Sequence, residues 1–220
     1  MTEYYLDTEI GYDDPKIVEK FRKEERVPFD PKHCKIITIQ FQQIDKYGRG
    51  VGKIRILKEW ESSEEDIIRK FSQIIKPENK WNFIPVGYNI YFDLGIFKER
   101  AKVYGLNYDK WFIYHDLPTI DIRPICLALN NFQFKGSGLD KFTAKEHSGA
   151  IVPVWYYDKE YDKILNYIEK ETEEFLLFYQ KLKYHVPDFR AILGFSGMVS
   201  NYGDSKASPR QRSGQQSCQD

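Results

Sequence analysis

The sequence predicts an α/β fold in which helices pack on a mixed β-sheet. Three patterns support this prediction. In the early segments polar and apolar residues alternate, as in the strands of a hairpin meander. Further along the chain short apolar runs are separated by amphipathic segments, and one long helical segment follows. The 220 residues are 41% hydrophobic and 16% aromatic, which is enough to bury a continuous core. We therefore expect one domain over residues 1–195.

Strands are predicted from two-residue periodicity and turn residues. Five segments have this pattern: residues 4–8, 34–44, 52–60, 83–86 and 110–115. In the second of them, Ile37, Ile39 and Phe41 lie on one face. Thr38 and Gln40 lie on the other face, which is the pattern of a half-buried strand.

Helices are predicted from apolar periodicity and capping residues. Four segments qualify: residues 64–76, 91–104, 122–129 and 161–184. Ser62 and Ser63 each precede an acidic residue by three positions, so both match the capping box at the start of the first helix. Asp121, just before Arg123 and Pro124, is predicted to cap the third helix.

Charge and cysteine content exclude several classes of protein. The 33 Lys and Arg residues balance the 33 Asp and Glu residues, so the chain lacks the positive field typical of tight duplex binders. Three widely spaced cysteines favour neither a disulfide framework nor a zinc site. An acidic N-terminus and the lack of a long apolar run predict a cytoplasmic protein without membrane contact. Residues 196–220, rich in Ser, Gly and Gln, are expected to form a disordered tail.

Acidic residues follow the first apolar segment in a pattern that suggests chemistry. Asp7 and Glu9 are two positions apart, so on a strand both carboxylates point to the same side. Two such carboxylates repel each other unless a cation lies between them. Taken alone, the pair is also compatible with ordinary surface acids.

Two further fragments carry acids at helical positions. Asn89 and Asp93 follow a short apolar strand and a glycine, with Asp93 in the first turn of a helix; either residue is also a candidate for simple capping. Tyr167 and Glu171 are four residues apart on the long helix and so lie on one face. A solvated Glu-rich face is the alternative for that fragment.

Together these fragments resemble the DEDD, or DnaQ-like, superfamily of 3′-to-5′ exonucleases over about the first 185 residues. Asp7-x-Glu9 resembles its first motif. The second motif is matched by residues 87–93, Gly-Tyr-Asn-x-x-Phe-Asp, and the third, in its tyrosine branch, by Tyr167-x-x-x-Glu171. The sequence from 35 to 45 is most similar to stand-alone relatives of the B-family DNA polymerase proofreading domain, many of them archaeal. The resemblance implies an RNase H-like fold, a mixed five-stranded sheet with helices on both faces.

The same resemblance implies a metal-dependent nuclease. Four carboxylates would hold two Mg²⁺ or Mn²⁺ ions roughly 4 Å apart, namely those of Asp7, Glu9, Asp93 and Glu171. Tyr167 would orient the attacking water, and the products would be nucleoside 5′-monophosphates. The expected substrate is single-stranded DNA, with three candidate contacts: Tyr88, Asn89 and Phe92.

The sequence differs from the family pattern at one position: the third motif normally ends in Asp, and this chain has Glu171 there. Asp158 and Asp162 are therefore alternative fourth ligands, and loss of activity with retained nucleic-acid binding is an alternative function. An RNA exonuclease with the same site is another. The sequence leaves open the oligomeric state, including a homo-oligomer, and the pathway, such as DNA repair.

Overall fold

The computed structural model describes residues 1–76, 78, 80–108, 117–143 and 149–192, with side chains to residue 185. Residues Met1–Tyr184 form one compact unit. Two sequence predictions fall outside the described residues: the strand at 110–115 and the disordered tail at 196–220.

The described part of the chain contains a five-stranded sheet and six α-helices. The strands are β1 Glu3–Gly11, β2 Lys35–Ile44, β3 Gly50–Lys58, β4 Ile84–Gly87 and β5 Ile120–Asp121. The helices are α1 Pro15–Arg22, α2 Glu64–Ser72, α3 Ile90–Val103, α4 Arg123–Leu129, α5 Val152–Tyr157 and α6 Tyr161–Ile192. Short 3₁₀ turns lie at Glu59–Glu61, Leu139–Lys141 and Gly149–Ile151.

The sheet is mixed, and its strand order is β3-β2-β1-β4-β5. β1, β2 and β3 pair antiparallel as a meander, while β4 and β5 run parallel to β1. This confirms the predicted mixed five-stranded α/β fold. It also places β1 in the middle of the sheet, where helices can cover both of its faces.

Helices pack on both faces. On one face, α2 and α3 bury a cluster that includes Leu6, Phe41 and Phe97. On the other face, α4 and α6 bury a second cluster around Tyr5 and Phe175. The sheet is therefore the middle layer of three, and polar side chains on its interior strands are removed from water.

The predicted face of β2 is wrong at one residue, because the pairing of β1 with β2 contains a β-bulge. The register shifts between Glu9 and Ile10, whose partners are Thr38 and Ile36, so that Ile37 is the extra residue. Ile37 consequently packs with the α6 side of the sheet, and Ile39 with the α2 and α3 side.

Helix starts follow their capping residues. The Ser63 side chain accepts a hydrogen bond from the Asp66 N–H at 3.1 Å, which confirms a capping residue at this position. The prediction that Asp121 caps α4 is confirmed, since Asp121 Oδ1 accepts a hydrogen bond from the Arg123 N–H at 2.9 Å, although the residue directly before the helix is Ile122. Helix α1, which Asp14 caps by accepting a hydrogen bond from the Lys16 N–H, is not among the helices predicted from the sequence.

Candidate metal centre

Three carboxylates from two elements converge on one face of the sheet. Asp7 and Glu9 extend from β1 with the two-residue spacing that places them on the same side. Glu171 comes from α6, and one oxygen from each of the three side chains lies within 4.8 Å of the others. Glu9 is only 8% exposed. The structure thus brings together the first and third predicted motifs.

Asp93 adjoins this group from α3. It lies in the first turn, is 5% exposed, and accepts hydrogen bonds from the Thr8 N–H at 3.1 Å and the Thr8 hydroxyl at 2.7 Å. Burial, together with the neighbouring Asp7 carboxylate, raises the pKa of Asp93 well above its ordinary value. Asp93 therefore borders Asp7, while the close group is Asp7, Glu9 and Glu171.

Tyr167 lies one helical turn before Glu171 and is 7% exposed. Its hydroxyl is hydrogen-bonded to Glu171. Burial first, and then the charges of Glu9 and Glu171, hold the pKa of Tyr167 far above its ordinary value. The phenol thus keeps its proton and acts as a hydrogen-bond donor.

Gly149 lies against the same group. A Cβ atom at this position would be 3.3 Å from the Tyr167 hydroxyl and 4.0 Å from Glu9 Oε2. The backbone therefore approaches the site closely at a residue without a side chain, which leaves the space beside the carboxylates open. Gly149 is not among the site residues predicted from the sequence.

The two alternative acids lie elsewhere. Asp158 is exposed and forms an ion pair with Arg22, Oδ1 to Nη2 at 2.5 Å. Asp162 is exposed in the first turn of α6. Within the described ranges, the group of converging acids contains Glu171 and neither of these two. The role of Glu171 as the fourth ligand stays a prediction.

Polar side chains support Asp7 from the neighbouring strand. Gln40, which pairs with Asp7 across β1 and β2, donates from Nε2 to Asp7 Oδ2 at 3.0 Å. Thr38 donates to Gln40 Oε1 at 2.9 Å, which orients the amide. The Tyr5 hydroxyl lies 3.4 Å from the same Asp7 oxygen.

This support was not predicted, because the alternation of β2 assigns Thr38 and Gln40 to the exposed face of a half-buried strand. That assignment is wrong, since both side chains are fully buried beneath α6. A detectable signal existed: polar residues interrupt an otherwise apolar strand predicted to pair near the carboxylates. Only the strand register shows which polar residue meets Asp7.

The second motif forms a turn between β4 and α3. Asn89 has a left-handed backbone, φ 59°, and occupies the N-cap position, but its side chain makes no capping bond. Its Oδ1 instead accepts from Arg123 Nη1 at 2.6 Å, and its N–H donates to Asp121 Oδ1 at 2.8 Å. The capping alternative for Asn89 is therefore wrong.

The two aromatic residues of this motif differ in their surroundings. The Tyr88 hydroxyl donates to the carbonyl oxygen of Ser137 at 2.7 Å. Phe92 is 42% exposed, and its ring centroid lies 4.8 Å from that of Phe29. Their roles as substrate contacts remain predictions.

The donor set fits a hard divalent cation. All three converging ligand atoms are carboxylate oxygens, the type that Mg²⁺ and Mn²⁺ prefer. Like charges held this close repel strongly, and a bound cation relieves that repulsion. The arrangement can therefore hold a metal and, through it, an anionic oxygen.

Comparison with known proteins identifies the fold. No protein-family profile matches the chain, and no curated protein matches its sequence. The structure of E. coli exonuclease I in complex with a dT13 oligonucleotide matches at a TM-score of 0.52 and 13% identity. Exonuclease I with the inhibitor BCBP and a complex of ExoI with SSB-Ct match at 0.51 and 0.50, again at 13% identity.

Each of these alignments covers 88% of this chain and 43% of the other, so this chain spans less than half of their length. At such low identity the likeness shows a shared fold. It agrees with the exonuclease-type fold that the sequence motifs imply.

Proposed function

We propose that this protein is a metal-dependent 3′-to-5′ exonuclease that hydrolyses single-stranded DNA and releases nucleoside 5′-monophosphates. The observation that carries the proposal is the convergence of Asp7, Glu9 and Glu171 on one face of an exonuclease-like sheet, with Tyr167 hydrogen-bonded beside them. We also propose that it belongs to the tyrosine branch, near stand-alone relatives of the B-family proofreading domain.

The carboxylates of Asp7, Glu9, Asp93 and Glu171 would hold two Mg²⁺ or Mn²⁺ ions. Such ions supply Lewis-acid stabilisation of negative charge on the phosphodiester oxygens. The protein contributes the orientation of its ligands: Gln40 fixes one oxygen of Asp7.

Tyr167 would position the attacking water. Its raised pKa keeps the hydroxyl protonated, so it would not act as a general base; because its single O–H is hydrogen-bonded to Glu171, its oxygen would accept a hydrogen bond from that water. The carboxylate of Glu171, which is hydrogen-bonded to it, orients the phenol. Burial of both Tyr167 and Glu9 limits access of bulk water to this side of the site.

The substrate would enter past the second motif. Phe92 is exposed close to Asp93 and is available to stack on a base, and the Asn89 amide lies at the turn between the sheet and α3. That E. coli exonuclease I was solved with a dT13 oligonucleotide supports single-stranded DNA as the substrate class.

Two further observations bear on where the protein acts. Within the described residues, no helix is both long enough and apolar enough to cross a bilayer. Cys34 and Cys126 are buried free thiols, which suits a reducing compartment such as the cytoplasm.

The direct test is incubation of 5′-labelled single-stranded DNA with the protein and Mn²⁺. We expect a ladder shortened stepwise from the 3′ end, with mononucleotide products carrying a 5′-phosphate, and no ladder with Asp7→Ala. Release that persists in excess EDTA or in the Asp7→Ala variant would contradict the proposal.

A second candidate function rests on Glu171, where the third motif normally has Asp. In this alternative the protein binds strands without cutting them, and Glu171→Asp creates activity. Parallel reactions on matched DNA and RNA oligomers separate the DNA exonuclease from an RNA exonuclease with the same site, because the preferred substrate is degraded faster.

A further inference from the structure

Exposed apolar side chains follow one another along α4 and the loop after it. Ile125 and Leu129 are one helical turn apart and are 39% and 58% exposed. Phe132 and Phe134 in the loop are 77% and 73% exposed. Single exposed apolar residues are common, but a run of four with two phenylalanines is typical of a binding surface. We call residues 130–137 the aromatic loop.

The aromatic loop is held in a defined shape at the end of α4. The N–H groups of Asn131 and Phe132 donate to the carbonyl oxygens of Ala128 and Leu127, at 3.2 and 2.7 Å, as in a Schellman motif. This motif commonly buries an apolar side chain at the position of Phe132 against the helix. Here Phe132 points into solvent.

The backbone of the loop is also strained. Asn131 has φ 52°, a conformation that asparagine tolerates, and Phe132 has φ 60°, which is unfavourable for a bulky residue. The Asn130 amide donates to the carbonyl oxygens of Gln133 and Lys135, at 2.6 and 2.9 Å. The fold thus stabilises a conformation that displays two aromatic rings instead of burying them.

The loop is tied to the candidate site. Ser137 is 3% exposed, and its carbonyl oxygen accepts the hydrogen bond from Tyr88. Tyr88 directly follows β4, in which Val86 pairs with Tyr5 of β1, two residues before Asp7. Tyr5, Val86 and Tyr88 pack in the same apolar cluster. The aromatic loop and the carboxylates are therefore anchored to the same face of the sheet.

The charge around the loop favours a polyanion. Residues 122–139 contain no Asp or Glu, although the chain has 33 acids, and they include Arg123 and Lys135. Phe29 and Phe92 are also exposed, and Phe29 lies in a segment with Glu24, Glu25 and Asp30. A strand of nucleic acid that crosses the aromatic loop would meet its apolar rings and the positive charge of Lys135, in a segment whose flanking acids are Asp121 and Asp140.

We propose that Phe132 and Phe134 form a stacking platform for unpaired bases of the strand whose end lies at the carboxylates. This inference rests on the proposed exonuclease function and extends it to how the strand is held away from the scissile bond. Stacking on a ring tolerates any base, because every base has a π-face. The platform would therefore increase affinity for longer strands without sequence preference.

The test compares a long and a short substrate. We expect Phe132→Ala/Phe134→Ala to raise the Kd for oligo(dT) of about 20 nucleotides by about tenfold or more, measured by fluorescence anisotropy in EDTA. The kcat on a trinucleotide with Mn²⁺ should change by less than about twofold, because the carboxylates are untouched. A double Tyr variant should retain affinity and a double Leu variant should lose it.

Trp81→Ala is the matched control. Trp81 is also half exposed, and its carbonyl oxygen is bonded to Thr2 at the opposite end of β1 from the carboxylates. This variant should bind oligo(dT) like the wild type. Circular dichroism should be the same for all variants, since the substituted side chains are exposed.

Three results would overturn the platform: unchanged oligo(dT) affinity of the Ala variant, wild-type affinity of the Leu variant, or a change in oligomeric state without a change in DNA affinity. The last result would assign the patch to a protein interface. Failure of the exonuclease proposal gives a different result, because the wild type then releases no mononucleotide. The anisotropy comparison in EDTA does not depend on cleavage and still tests whether bases stack on Phe132 and Phe134.

Discussion

Two buried carboxylate regions on opposite faces of the sheet show how differently this fold treats negative charge. Glu64 in α2 is 5% exposed and accepts two hydrogen bonds from the Arg100 guanidinium, at 2.6 and 2.8 Å. The Ile36 N–H and the Tyr104 hydroxyl complete its partners, each at 2.8 Å. This charge is neutralised inside the protein.

The carboxylates of the candidate metal centre are arranged otherwise. Asp7 is contacted by the neutral groups of Gln40 and Tyr5, and its nearest charged neighbours include Glu9 and Glu171. A buried charge with a cationic partner stabilises a fold, whereas like charges held together cost stability and persist where a ligand relieves them. The first region is structural, whereas the second is a group of acids that could hold a cation.

The largest expected effect comes from substituting Asp7 in the candidate metal centre, which should change nuclease activity and thermal stability in opposite directions. Asp7→Asn should lower nuclease activity by about 10³-fold, roughly 4 kcal/mol of transition-state stabilisation. The melting temperature without metal should rise, because one of the repelling charges is removed. Initial rates and differential scanning calorimetry on the same sample check both. Retained activity would place the chemistry elsewhere.

Substitution of Glu64 in the other region should instead lower stability. Glu64→Gln should lower the free energy of unfolding by about 3 kcal/mol, because the Arg100 guanidinium then loses its buried counter-charge. The control is Glu65→Gln, whose exposed pair with Arg69 contributes under about 1 kcal/mol. Urea unfolding measures both. Equal effects of the two substitutions would show that the Glu64 network is not a stabilising unit.

The next effect in size is stabilisation by added Mn²⁺, which should depend on the candidate metal centre and not on the Glu64 network. Mn²⁺ at about 100 times its Kd should stabilise the wild type by about 2.7 kcal/mol, seen as a higher melting temperature than in EDTA. Glu64→Gln should keep this increase and Asp7→Asn should lose most of it. An equal increase in both variants would mean that the ion binds away from the carboxylates.

The support of Asp7 predicts a smaller effect. Gln40→Leu should reduce kcat by about tenfold and weaken Mn²⁺ binding, since the amide no longer fixes the Asp7 carboxylate. Gln42→Leu on the same strand, whose amide bonds to the Gly52 carbonyl oxygen, is the control. Steady-state kinetics with a Mn²⁺ titration decide the point. A kcat unchanged at all Mn²⁺ concentrations would deny Gln40 a positioning role.

The smallest effect concerns the aromatic loop. Phe132→Gly should raise the free energy of unfolding by about 0.5–1 kcal/mol, because glycine adopts φ 60° without strain, while oligo(dT) affinity falls. Phe134→Gly is the comparison, as Phe134 is not among the residues with positive φ. Chemical denaturation and anisotropy on both variants test this. If Phe132→Gly and Phe134→Gly lower the free energy of unfolding equally, the backbone at Phe132 is not strained.

The sequence by itself determined the mixed α/β fold and the common face of Asp7 and Glu9. These follow from local rules: strand and helix periodicity depend on neighbouring residues only. That Tyr167 and Glu171 lie on the same side of α6 follows from a local rule as well, because they are four residues apart.

Only the tertiary structure decided the rest. It placed Glu171 with Asp7 and Glu9, left Asp158 and Asp162 outside the group, and buried Thr38 and Gln40, which sequence analysis had placed on an exposed face. The β-bulge at Ile37 and the tie between Tyr88 and Ser137 likewise lie between segments distant in sequence. The physical reason is the same throughout: periodicity gives the face of each element, but pairing register and helix packing determine what that face meets.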